Sequence, residues 1–225
     1  NPERLYGMGV CPLQSVDAAV DEIGFLAEHG FTGLTFRPER YNGLELYSPE
    51  MDRVWSAAED HDLTVAVHGS FGSKMTSFAR TRYSNQFYVH MVCHPFEQMA
   101  SVMEVVASGI LDDHPRLRVG FFESGLGWLP FWLERLDDHK QSMGHLVPRL
   151  KRDPTEIFAQ QCFVTMEAGE AKFLFDPLMQ DDRGGVYRLP PPALLAKLKT
   201  GAAPFDAIDA VFVSHAHADH FSALA

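Results

Sequence analysis

Short apolar runs of strand length alternate along the chain with longer segments in which apolar residues recur three and four positions apart. The runs predict strands over 5–10, 33–36, 63–67, 117–122 and 162–166. The longer segments predict helices over 15–29, 49–61, 95–111, 128–136 and 155–161. Ser15 is placed to cap the first helix, with Val16, Val20, Ile23, Phe25 and Leu26 on its apolar face, and Gly30 stops it. Pro95 and Pro130 fall in first turns, where a missing N–H leaves no bond unmade. Leu129, Trp132, Leu133 and Leu136 give the 128–136 helix a face for a sheet.

Strand then helix, repeated at this spacing, predicts an α/β fold with parallel strands, an incomplete (β/α) TIM-like barrel. Five strands are counted where a closed barrel has eight, and the missing initial Met suggests that the barrel's beginning lies before Asn1. From Gly169 the texture changes. A strand over 172–175 is followed by a polar stretch with Pro190, Pro191 and Pro192, and a strand over 210–213 runs into SHAHADH. The long helices are expected to stop there, which divides the chain into 1–168 and 169–225.

A formal net charge of −11 argues against a nucleic-acid partner, and no apolar run is long enough for a membrane span. The three cysteines, Cys11, Cys93 and Cys162, are far apart and suggest no disulfide framework or paired metal motif. The expected setting is cytoplasmic, the expected partner a small-molecule substrate, and a homo-oligomer is compatible with the sequence.

Candidate chemistry sits at strand ends. Glu123 closes the apolar run of PRLRVGFFESGLGWLPFWLERLD (115–137), ahead of a glycine turn, and His68 closes LTVAVHG (63–69) in the same way. In (β/α) enzymes this is where catalytic groups stand. Glu123 is expected to move a proton, and Arg37, at another strand end, to pair with a substrate carboxylate. His94 precedes a helix start and is a further metal candidate. The alternatives are a helix cap for Glu123 and His94 and a surface salt bridge for Arg37. Histidines 90, 114, 139 and 145 are read as solvated, and Phe121, Phe122, Trp128, Phe131 and Trp132 as core. In HAHADH, His215 and His217 point the same way on an extended loop and can grip one divalent cation, with Asp219 and His220 serving a second.

Two resemblances attach to these motifs. LTVAVHG, HPFEQM (94–99) and the 115–137 stretch, over roughly 1–167, resemble the amidohydrolase-related family that includes the aminocarboxymuconate-semialdehyde decarboxylases. This implies a metal-dependent TIM barrel. His68 matches the family's fifth-strand metal ligand, and Glu123 stands where many members carry a histidine. The family's first-strand HxH pair and eighth-strand aspartate have no counterpart here. The 172–225 stretch, with FLFDP (173–177) and HAHADH, resembles the opening of the metallo-β-lactamase superfamily. The expected function is metal-dependent hydrolysis or decarboxylation of a small carboxylate or amide compound, with Zn²⁺ first and Mn²⁺ or Fe²⁺ next. The alternatives are a metallo-β-lactamase-like hydrolase working through HAHADH, and a chain in which neither site is catalytic.

Overall fold

Five short strands form one parallel sheet in sequence order: β1 (Met8–Val10), β2 (Gly33–Phe36), β3 (Thr64–His68), β4 (Val119–Phe122) and β5 (Cys162–Val164). The computed structural model describes residues 6–38, 41–69, 78–166, 173–175, 192–200, 202 and 210–212. Two compact units divide at Glu167 and Ala168.

Helices occupy the crossovers of the first unit. They are α1 (Val16–Glu28), α2 (Asp52–Asp60), α3 (Gln86–Cys93), α4 (Pro95–Val106), α5 (Ile110–Asp113), α6 (Leu129–Met143) and α7 (Pro154–Gln161). Ser15 caps α1 as expected, its Oγ accepting from the Ala18 N–H at 3.3 Å. A single 3₁₀ turn, Pro49–Met51, leads into α2. The second unit has β6 (Phe173–Phe175) and β7 (Ala210–Phe212), paired in parallel, with α8 (Pro192–Thr200) between them in the chain.

The register sorts the strand residues into two faces. Leu34, Phe36, Val65, Val67, Val119 and Phe121 face the helices and are all but inaccessible. With Trp55, Ile23 and Ile157 they form the core. Such near-continuous apolar runs suit strands that must be covered. The other face carries small residues, Thr35, Ala66 and Gly120, flanked by the exposed Val10 and Phe163. A β-carbon at Gly120 would collide with the rings of Phe163 and Phe122, so glycine there lets two aromatic rings lie over the sheet.

Several expectations need correction. The 95–111 helix is broken at Gly109 (φ +91), where a β-carbon would strike the backbone of Arg149. A helix absent from the expected set, α3, precedes His94 and is capped by Asn85. The second unit contains a helix, so the alternation does not stop at Gly169. His114 is buried and paired with Glu59 at 3.4 Å, not solvated. Phe131 is exposed rather than core, and Phe25, exposed on α1, stacks on His29 at 3.9 Å between ring centroids.

Candidate functional site

His68 is the last residue of β3, and Glu123 follows the last residue of β4, its neighbour in the sheet. Parallel pairing therefore brings both to the C-terminal edge, although 55 positions separate them in sequence. His68 Nε2 lies 3.4 Å from Glu123 Oε2. The residue that precedes α4 adds a third group: His94, whose Nδ1 is 3.9 Å from the same oxygen. The structure thus brings together three of the predicted site residues. Arg37 follows β2, the next strand over, and is half-buried on the same edge. His215, His217, Asp219 and His220 lie outside the described residues.

The chemistry of the pair follows from one hydrogen bond. His68 Nδ1 lies 2.6 Å from the Gly69 carbonyl, which can only accept, so Nδ1 carries the hydrogen. In the neutral ring the Nε2 lone pair then faces a carboxylate oxygen. Two acceptors this close can share a cation, either a proton or a metal ion. A histidine fixed through Nδ1 to a carbonyl and open at Nε2 is the usual form of a metal ligand. The donor set therefore fits a divalent cation, although among the described residues no group of three His, Cys, Asp or Glu side chains closes around one point.

Glu123 is held in an uncommon backbone state. Its φ is +57°, left-handed for a residue with a side chain. Its N–H donates to Thr165 Oγ1 at 3.0 Å, and the Thr165 N–H donates to the Phe121 carbonyl at 3.0 Å. The turn behind it is closed by the Trp128 indole, which donates to the Ser124 carbonyl at 3.0 Å. The Glu123 side chain is 54% exposed. The side chain neither caps a helix nor is buried, and the bonds to Thr165 and from Trp128 hold the strained backbone that sets its carboxylate beside His68.

Sequence reasoning missed the residues that support this pair. A β-carbon at Gly69 would stand 2.8 Å from His94 Nδ1, so glycine keeps the histidine ring close to the β3 exit. Glu97 is buried, and its Oε1 accepts from the Phe78 N–H at 2.6 Å. Gln98 is fully buried beside it. Glu97 and Gln98 lie three and four positions after His94, so HPFEQM carries them on one helix face. That spacing was the available signal. A cavity of about 460 Å³ lies elsewhere, lined by α4 and α6 residues including Met103, Trp132 and Leu136.

The amidohydrolase family pattern matches residues 1–191, and the metallo-beta-lactamase superfamily pattern matches 159–225. Gamma-resorcylate decarboxylase of Rhodococcus jostii (strain RHA1) is 27% identical over 197 residues, covering 80% of this chain and 57% of the relative. The crystal structure of 5-carboxyvanillate decarboxylase from Sphingomonas paucimobilis superposes with a TM-score of 0.63 at 27% identity, covering 76% of this chain and 51% of that one. A dihydroxybenzoic acid decarboxylase from Polaromonas sp. JS666, solved with bound manganese, shares the fold at 18% identity and a TM-score of 0.59, over 75% of this chain and 52% of that one. The chain spans about half the length of these proteins. Among the described residues no helix is long and apolar enough to cross a membrane.

Proposed function

Because this chain belongs to the amidohydrolase family, we propose that its His68–Glu123 edge serves metal-assisted decarboxylation of a small aromatic carboxylate. The observation that carries the reading is the Nε2–Oε2 approach of 3.4 Å at the C-terminal edge of a parallel sheet. The relatives' names move the expected reaction from hydrolysis to carbon–carbon cleavage.

His68 through Nε2 and His94 through Nδ1 would hold a divalent ion, Mn²⁺ by analogy with the Polaromonas enzyme. When bound, it polarises the oxygens of the substrate. The remaining work falls to the chain's own residues. In decarboxylation the carboxyl leaves as CO₂, its bonding electron pair stays on the ring carbon, and that carbon takes up a proton. Glu123, 3.4 Å from His68, is the acid assigned to hold that proton, on a side chain open to solvent. Phe122 and Phe163 pack edge to face at 5.7 Å, and Phe122 lies 6.2 Å from the His68 ring. This aromatic pair gives a planar ring a surface beside the histidine. Arg37, one strand over, is placed to receive a carboxylate.

The test is CO₂ release from gamma-resorcylate by the Mn²⁺-loaded chain. Glu123→Gln should lower turnover about 100-fold or more while metal stays bound at the His68 site, and His68→Ala should lose both the turnover and the metal of that site. Undiminished turnover in Glu123→Gln overturns the assignment.

A second reading rests on the match over 159–225. HAHADH would then form a metal site of its own and hydrolyse an ester or phosphodiester. Hydrolysis that survives His68→Ala and is lost in His215→Ala/His217→Ala would favour it.

A further inference from the structure

Gln98 sits one turn after His94 on α4, fully buried on the face that carries Val102, Val105 and Val106. An amide in apolar surroundings is unfavourable unless its groups are used. Both hydrogens of its Nε2 are used, one on the Val67 carbonyl at 2.8 Å and one on the Phe122 carbonyl at 3.1 Å. Val67 immediately precedes His68, and Phe122 immediately precedes Glu123. One side chain therefore holds the last carbonyl before each member of the pair.

The same device appears at the other end of β4. Gln161 Nε2 donates to the His114 and Leu117 carbonyls at 2.9 and 3.1 Å, and its Oε1 accepts from Arg152 at 2.7 Å. Gln161 is fully satisfied and lies at the edge remote from the site. Gln98 Oε1 has no hydrogen-bond partner among the described residues. Its value therefore lies in its two donors and in where they point.

We infer that Gln98 is a positioning residue, which sets the separation of His68 and Glu123 by clamping the carbonyls at the exits of β3 and β4. The inference rests on the reading of His68 and Glu123 as the working pair. Gln98 acts through these residues and touches neither a metal nor a substrate. A side chain of the same length without donors would let the strand exits part, and the two site residues with them.

The experiment compares Gln98→Met with Gln161→Met in the full chain, on a His215→Ala/His217→Ala/His220→Ala background so that the C-terminal histidines contribute nothing. The first readout is backbone amide exchange in metal-free protein. The second is Mn²⁺ binding, followed by the resonance of the free ion. Gln98→Met should speed exchange at residues 68, 69, 123 and 124 relative to α1, and weaken Mn²⁺ binding about 10- to 100-fold. Gln161→Met should leave Mn²⁺ affinity within about twofold of the parent even where its thermal midpoint falls. Unchanged Mn²⁺ affinity in Gln98→Met, or an equal loss in Gln161→Met, overturns the inference. Should Gln98→Met fail to fold, Gln98→Asn carries the same test, its amide one methylene short of both carbonyls. Should Mn²⁺ binding survive His68→Ala in this same background, the reading of the pair fails, and the exchange data alone decide whether Gln98 holds the strand exits.

Discussion

Glu123 shows what one residue can be made to do by its backbone. A side chain at φ +57° costs about 1–2 kcal/mol, because the β-carbon crowds the carbonyl that follows. Glycine escapes that cost. Glu123→Gly should therefore be about 1 kcal/mol more stable than Glu123→Ala by urea unfolding, with both variants lacking the carboxyl group. If the two are equal in stability, the backbone is not strained there. Gly69 is the converse case, since an added methyl meets the His94 ring. Gly69→Ala should displace the His94 ring and weaken Mn²⁺ binding while leaving the core intact, which calorimetry can measure. Two thiols behave as core atoms. Burial, with Glu22 adding to it, pushes Cys11 up to about 12, and burial alone pushes Cys162 above its ordinary range. A thiolate is the reactive form. An aromatic disulfide reagent at pH 8 should label neither residue in native protein and both in denaturant.

At the scale of elements, the segment before α7 is anchored to α5 by charge. Asp112 is almost inaccessible and meets Arg152 at 2.7 Å, and it also accepts the N–H groups of Lys151 and Arg152. Burial alone would raise the Asp112 carboxyl, but the Arg152 side-chain hydrogen bond and the two backbone hydrogen bonds outweigh it and hold the group below the usual carboxylate range. A carboxyl depressed on folding stabilises the protein above its unfolded pKa, near 3.8, and this contribution is lost as pH falls towards the folded value. Asp112→Asn should therefore be less stable than wild type at pH 7, and the gap should close on acidification below pH ~4. Arg152→Ala should cost about 1.5–3 kcal/mol, the loss of a charge-assisted hydrogen bond at a buried carboxylate that keeps its two backbone donors. The strands, and most of the helices that separate them, were legible in the sequence because continuous apolar runs and period 3.6 are driven by burial alone. The placement of His68 and Glu123 at strand ends was legible for the same reason. The clamps of Gln98 and Gln161 were not, because a hydrogen bond to a distant carbonyl leaves no periodic trace. α3 escaped because its exposed Phe87, Tyr88 and Met91 give it no clean apolar stripe.

At the scale of the whole chain, two motif sets lie in two units, one matched by each family pattern. His215, His217, Asp219 and His220 are adjacent in sequence and need no distant partner to gather, so the C-terminal set should hold Zn²⁺ more tightly than the His68 site. Calorimetric titration of metal-free wild type, His68→Ala and His215→Ala/His217→Ala tests this. The larger loss of affinity should follow removal of the two C-terminal histidines. The pairing of β3 with β4 has a further consequence, for the order of folding. Val65 meets Val119 across 54 positions, whereas Met8 meets Gly33 across 25. Closing the longer loop costs about 0.7 kcal/mol more in chain entropy, before the helices on it contribute anything. The β1–β2 and β2–β3 crossovers can therefore form first, and the β3–β4 junction that creates the site closes late. Mutations in β1 and β2 should then slow folding, while those at the Val67–Phe121 pair should mainly speed unfolding. The chain would acquire its scaffold before its chemistry.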